Sequence, residues 1–398
     1  MQAVPVLHKL LKNTCPDMHQ TRRASLFANV MASLTGRRLT VTDLGRSIQS
    51  TTCHKHNIKR ADRLLSNSHL HQERIGIYQA LCHQLIGSQI RPVVLIDWSD
   101  MDEYKQHFLL RAAIVFEGRS ITLYEEIHTI NTKEKLTTHQ KFLVQLKGLF
   151  PSHCCPILVT DAGFRTTWFK LVESIGWDWV GRVRNRHYLR WTSGGPWFDA
   201  KRCYQWATAQ PEYLGEGVLT VRNQIHCQLV IYQGKLKGRK HKNRLGEVAA
   251  NAYSRKKAQA QREPWLLATS LSPCSTLARK VVKLYRCRMQ IEEGFRDIKS
   301  HRFGFSLNYH RTNSVERLQV LLLIASLALL VVSILGLALM LSGQQHQFQA
   351  NSVRHKRVLS INFIGLQMVR ETRIILSNET LKEAWHYLHA LLQQHKET

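Results

Sequence analysis

Residues 320 to 341 read VLLLIASLALLVVSILGLALML, 22 consecutive positions without a charge. Such a run is either a membrane span or a helix covered on every side inside a large core. Arg311 and Arg317 lie before it, and Arg354, Lys356 and Arg357 follow it, so the flanking charge gives no orientation in a bilayer. The 398 residues are enough for two to four domains and a sizeable core, and an apolar content of 44% is ordinary for a globular protein. A sheet whose faces need covering gives a wholly apolar helix a place to go. The expectation is therefore a buried helix and no membrane.

The charge balance narrows the partners. There are 56 Lys and Arg against 28 Asp and Glu, a formal net charge of +28 spread over the whole length. A chain this basic meets a polyanion, and nucleic acid is the commonest one. A ribosome-like or membrane-surface protein is the bland alternative. The nine cysteines are odd in number and form no CxxC pair, and Cys154 and Cys155 are adjacent. This usage predicts reduced thiols and no zinc ribbon. The Cys53–His56 run, CHKH, has no partner at finger spacing and reads as a basic loop. Signal-peptide features are absent from the N-terminus. The expected setting is cytoplasmic and DNA-associated.

Along the chain, residues 1–90 read as helical. TVTDLGRSI opens on a capping Thr, and HNIKRADRLLSN puts Lys59, Arg60 and Arg63 on a polar face. Short helices ending in a basic one suit a helix-turn-helix reader of DNA, or a bundle serving only as an arm. From 91 to 185 the pattern becomes strand-like. PVVLID ends in Asp97, HFLLRAAIVFEG and RSITLYEEIH turn about Gly118, a helix follows over 137–149, and PILVTDAGF carries Asp161. FRTTWFKLVESIG reads as a helix and WDWVGRVR as a strand. Three strands, helix, strand, helix, strand is the order of a ribonuclease-H-like sheet. If the two Asp-bearing strands pair, both carboxylates emerge at the edge where open α/β sheets bind ligands. Taken singly, either Asp is more often a turn or cap residue.

Residues 186–262 read as a β-rich insertion. It includes KLKGRKHKNR, six Lys and Arg in ten positions, and RKKAQAQR. A loop of this kind gains order by neutralising phosphates. EPWLLATS, with Trp265 at its start, reads as the strand that rejoins a core spanning 263–345, and 346–398 forms a helical C-terminal region. The fold class expected is α/β: a ribonuclease-H-like mixed sheet with a β-rich insertion and helical N- and C-terminal regions.

The stretch 277–299, LARKVVKLYRCRMQIEEGFRDIK, reads as one helix. Tyr285, Arg288, Glu292, Arg296 and Lys299 fall on a polar stripe roughly 80° wide. Leu284, Cys287, Ile291, Phe295 and Ile298 form an apolar stripe beside it. A lone carboxylate among cations suits a site handling metal ions and phosphates; a solvated face with ion pairs is the plainer reading.

Tyr285, Arg288, Glu292 and Lys299 have the spacing Y-x2-R-x3-E-x6-K. With IDWSD around Asp97 and VTDAGF around Asp161, the chain resembles the DDE transposases of bacterial insertion sequences. The resemblance implies that Asp97, Asp161 and Glu292 are catalytic and hold two Mg²⁺ or Mn²⁺ ions per active site. It implies that Tyr285, Arg288 and Lys299 hold transposon-end phosphates, and that Trp265 stacks on a flipped base. The helical domain 1–90 would bind terminal inverted repeats in double-stranded DNA. A homodimer would hold two ends in a synaptic complex and join them to target DNA. A related nuclease or resolvase, and a non-catalytic DNA-binding protein, remain the alternatives.

Overall fold

The computed structural model describes residues 3–184, 187–234, 247–248, 251–252, 262–353, 355–371 and 373–394. The basic run 235–244 and residues 255–261 of the second basic run lie outside the described residues. The chain divides into two compact units, Met1–Pro156 with Met289–Thr398, and Ile157–Arg288.

The first unit begins with five helices: α1 (Ala3–Thr14), α2 (Gln20–Gly36), α3 (Val41–Ser47), α4 (His54–Leu65) and α5 (Ser68–Ile86). Thr40 caps α3 by accepting from the Asp43 N–H at 3.1 Å, as its sequence position suggests. A Cβ on Gly45 would lie 2.3 Å from the Ile58 Cα, so α3 and α4 cross at backbone contact. The buried Asn57 accepts from Ser50 Oγ and Thr52 Oγ1, both at 3.0 Å, and so braces the connection between these helices. The CHKH run is not a loop: His54 to His56 open α4, with Cys53 at its N-cap. Leu64 and Leu65 are buried, whereas Ile58 is only half-buried.

Three antiparallel strands follow, β1 (Val93–Asp100), β2 (His107–Phe116) and β3 (Arg119–Thr129), in the order β3-β2-β1. Glu117 and Gly118 both take positive φ, 39° and 76°, in the tight turn between β2 and β3, matching the right-handed twist of a hairpin. All ten positions of β2 are buried. Asp97 does not end its strand. Trp98, Ser99 and Asp100 continue pairing with Leu110, Leu109 and Phe108, so the carboxylate sits three residues inside β1. Helix α6 (Leu136–Leu149) closes this run.

The second unit carries β4 (Ile157–Thr160), α7 (Thr166–Ser174), β5 (Asp178–Val183), β6 (Tyr188–Trp191), β7 (Gly194–Asp199), β8 (Glu212–Leu219), β9 (Ile225–Tyr232), β10 (Trp265–Thr269) and α8 (Leu277–Cys287). Its strand order is β4-β5-β10-β9-β8-β6-β7. β4 and β5 are parallel, joined through α7, and the remaining pairs are antiparallel. The strand that begins with Trp265 returns between β5 and β9, where a central, apolar WLLAT segment belongs.

The stretch 277–299 is helical with one irregularity, at Arg288, whose own dihedrals stay helical (φ −51°, ψ −38°). α8 ends at Cys287, Arg288 forms a single-residue turn, and α9 (Met289–Lys299) begins. The Arg288 N–H donates to the Tyr285 carbonyl at 3.1 Å. This i to i−3 bond tightens the last turn of α8 in the manner of a 3₁₀ end.

Back in the first unit, α10 (Val315–Leu341) is the charge-free segment. It passes the length and hydropathy test for a membrane span, yet 94% of its most apolar window is buried within the fold. It packs on α1, α2, α4, α5, β3, α11 (Ile361–Met368) and α12 (Asn378–Gln394). A Cβ on Gly336 would lie 2.2 Å from the Ile361 carbonyl oxygen, and one on Gly365 only 1.8 Å from that of Val332. Glycine at both positions lets α10 and α11 touch backbone to backbone. All nine cysteines are free thiols.

Candidate active site

Asp97 lies on β1 directly opposite Arg111 of β2, and Arg111 lies opposite Glu125 of β3. Partners across antiparallel strands share a face, so the three form an acid–base–acid row across the sheet. Arg111 donates from Nε and Nη2 to Glu125 Oε2 at 2.8 and 2.6 Å, with both side chains essentially inaccessible. Tyr78 and Ser326 donate to the other oxygen at 3.0 and 2.7 Å. Asp97 is 9% exposed, and its Oδ1 accepts from the Trp98 N–H at 2.8 Å. The Trp98 indole donates to Nε2 of His139 at 3.3 Å. Burial and the nearby His128 hold His139 down at about 4, so this acceptor is neutral at ordinary pH.

Helix α9 packs across β1, β2 and β3. It is fixed at its start by Gln290, whose Oε1 accepts from the Phe116 N–H at 3.1 Å and whose carbonyl accepts from Ser120 Oγ at 3.3 Å. A Cβ on Gly294 would approach Ser120 Oγ to 2.9 Å, so the absence of a side chain sets how closely the helix lies on the strands. Two adjacent glutamates divide the work. Glu293 pairs with Arg119 at 3.4 Å and with Arg296 at 2.7 Å. Glu292, in the first turn, is exposed. At the other end, the Lys299 ammonium donates to Ser99 Oγ at 2.6 Å and to the Asp100 carbonyl. Burial, with Arg111 nearby, lowers the Lys299 pKa to about 8; Asp100 and Asp97 act in the opposite sense.

The second unit gathers the other residues of the motif. Asp161 follows β4, its Oδ1 accepting from the Gly163 N–H at 2.8 Å. Tyr285 is only 4% exposed, so the expected outward phenol is buried. An aromatic in the last turn of an amphipathic helix shares the polar stripe on a helical wheel and still turns inward where a ring can receive it. That ring is Trp265, edge-on to Tyr285 with centroids 4.9 Å apart. The Tyr232 ring centroid lies 5.8 Å from that of Trp265. The Arg288 guanidinium is 5.9 Å from the Tyr285 centroid. Burial raises the Tyr285 pKa; Arg288 and Arg182 oppose the rise, and Asp161 adds to it. Arg182 donates to the Glu263 and Pro264 carbonyls, bracing the approach to Trp265. Arg286 donates to the Tyr232 hydroxyl at 2.5 Å.

Asp97, Glu292 and Lys299 thus belong to one unit, and Asp161, Trp265, Tyr285 and Arg288 to the other. On α4, Lys59 and Arg63 are exposed, and Arg60 donates to the Ala24 carbonyl at 3.2 Å. Sequence reasoning passed over Arg111 and Glu125. The available signal was a lone Arg in a ten-residue apolar strand, which demands a buried partner. Three carboxylates are hard oxygen donors and suit Mg²⁺ or Mn²⁺ in kind. Among the described residues no three His, Cys, Asp or Glu side chains are already grouped as a metal site.

A mixed α/β fold with acidic residues on its strands and on α9 places the chain in the ribonuclease-H-like class of transposase cores. The Transposase DDE domain family matches residues 88–329, more than half of the chain, and the protein belongs to that family. No curated protein matches the chain. Its business is DNA recombination by transposition.

Proposed function

We propose that the chain is a cut-and-paste transposase, akin to that of the composite tetracycline-resistance transposon, with Asp97, Asp161 and Glu292 as its catalytic carboxylates. The observation that carries this reading is the Y-x2-R-x3-E-x6-K spacing on α8 and α9 within the matched family region. Asp97, Asp161 and Glu292 together would hold two divalent ions, which supply activation of an attacking oxygen and stabilisation of a leaving one. The remaining work falls to the chain. Lys299, a half-buried ammonium anchored on β1, and Arg288 neutralise phosphate charge at the scissile strand. Tyr285 and Tyr232 hold the Trp265 ring, on which a base turned out of the helix stacks.

Water first breaks the phosphodiester bond at the transposon end and leaves a 3′-OH. That hydroxyl then attacks the opposite strand, its oxygen forming a new phosphodiester bond while the flanking 3′ oxygen departs with a proton. The product is a hairpin end. Hydrolysis reopens it and restores the 3′-OH, which attacks a phosphodiester of the target and displaces the target strand's 3′ oxygen, which leaves with a proton. The N-terminal domain, with Lys59, Arg60 and Arg63 on α4, binds the terminal inverted repeats, and a homodimer holds two ends in one complex.

The test uses purified protein, Mg²⁺ and a duplex taken from the DNA flanking the gene. Denaturing gels should show a nick, then a hairpin, then strands joined to a target plasmid. Nicks scattered without hairpin or joined product would replace this reading with a plain nuclease.

A further inference from the structure

Two adjoining cavities lie in the first unit. One, of about 750 Å³, lies between the start of α3 and residues 301–317, and Arg38, Arg46, Arg311 and Arg317 line it. The other, of about 620 Å³, shares His301, Tyr309, His310, Arg311 and Asn313 with the first and extends to Lys299. The second also carries Asp102 and Glu103, and together the two run from the start of α3 to the anchored end of α9.

The charge of the larger cavity is unbalanced. Arg317 is engaged by Asp62 on α4 at 2.7 Å. Arg38, Arg46 and Arg311 are exposed and, among the described residues, have no carboxylate or carbonyl partner. The one acid in the wall, Asp43, accepts from Thr40 Oγ1 at 2.7 Å. Three exposed arginines around one concavity present it with positive charge. Their planar forks suit phosphate oxygens, and their spread along a groove suits a repeating polyanion better than a single small ion.

We propose that this groove takes the sugar–phosphate backbone of a DNA strand, with Arg38, Arg46 and Arg311 on consecutive stretches of backbone between the end-binding helices and Lys299. The proposal rests on the transposase reading for the identity of the polyanion. The contacts position the strand and read no bases.

The test is a salt titration of full-length protein on a duplex of the flanking DNA, without divalent ions, so that cleavage chemistry does not enter. The triple variant Arg38→Ala, Arg46→Ala, Arg311→Ala should reduce the slope of log K against log salt by roughly 2 to 3. The matching triple Lys variant should restore it. Replacing the exposed Lys12, Lys141 and Lys170 by Ala serves as the control for general loss of charge. An unchanged slope in the Ala triple, with an unchanged melting temperature, would overturn the proposal. So would a loss no larger than in the control. Asp97→Asn tests catalysis separately and should leave the slope intact, so failure of one reading does not mimic failure of the other.

Discussion

Lys299 donates to Ser99 Oγ at 2.6 Å, which ties the last turn of α9 to the end of β1, two residues beyond Asp97. One ammonium therefore fixes a helix on a strand close to a carboxylate. Its pKa of about 8 gives this arrangement a pH signature. Between about 8 and the ordinary 10.5 the unfolded chain holds the proton and the folded chain does not, so stability rises with pH across that window. Phosphate binding runs the other way, since it needs the charged form. DNA cleavage should fall as pH rises through about 8, measured as initial rate under saturating Mg²⁺. Lys299→Arg, which keeps its charge, should shift that fall to higher pH, and an identical profile would remove Lys299 from the phosphate contact.

The two neighbouring glutamates of α9 should separate in mutation. Glu292→Ala should lower cleavage by at least roughly 10²-fold with end binding retained. Glu293→Ala, which removes partly exposed ion pairs to Arg119 and Arg296, should cost about 1 kcal/mol or less and leave cleavage near normal. Cleavage assays paired with urea melts distinguish these outcomes, and the reverse pattern would reassign the site to Glu293.

The buried row beside Asp97 predicts a large asymmetry. Arg111→Met alone leaves Glu125 buried and unpaired, and should destabilise the protein by about 3–5 kcal/mol. Arg111→Met with Glu125→Leu removes both charges and should recover much of that loss. Equilibrium urea unfolding of the single and double variants reads the difference.

Where α10 and α11 meet, Gly365 is packed against the Val332 carbonyl. Gly365→Ala inserts a methyl where backbone stands, and should cost at least about 1–3 kcal/mol. Gly148→Ala, at a helical position with nothing within 4 Å of the added carbon, should be neutral or slightly stabilising. Thermal melts of the two variants, side by side, test whether the crossing is as tight as the backbone contact implies.

Much of this was legible in the residues because it is local. Period-two and continuous apolar runs located β1 to β5, α6 and α7 within a few residues, and Gly118 marked the hairpin. Thr40 announced the cap of α3. Other features depend on register or on a partner distant in sequence. Nothing near Arg111 reveals that Glu125 faces it, because strand pairing decides that. Tyr285 lies on the polar stripe of a helical wheel, yet Trp265, 20 positions earlier in the chain, receives its ring. The irregularity at Arg288, whose own backbone stays helical (φ −51°, ψ −38°), has no local signal in the residues around it. The charge-free run 320–341 fitted both a bilayer and a core by composition alone. Its packing against the surrounding helices and β3, and the serines that meet Glu125 and Asn362, belong to the folded chain.

The central claim is that acidic side chains from distant parts of the chain act on one phosphodiester bond. The most direct measurement is Mg²⁺-dependent cleavage of a flanking-DNA duplex by Asp97→Asn and, separately, Asp161→Asn, each with its DNA affinity measured in the same buffer. Loss of cleavage in both, with binding unchanged, is the predicted result. Wild-type cleavage by either folded variant would contradict it.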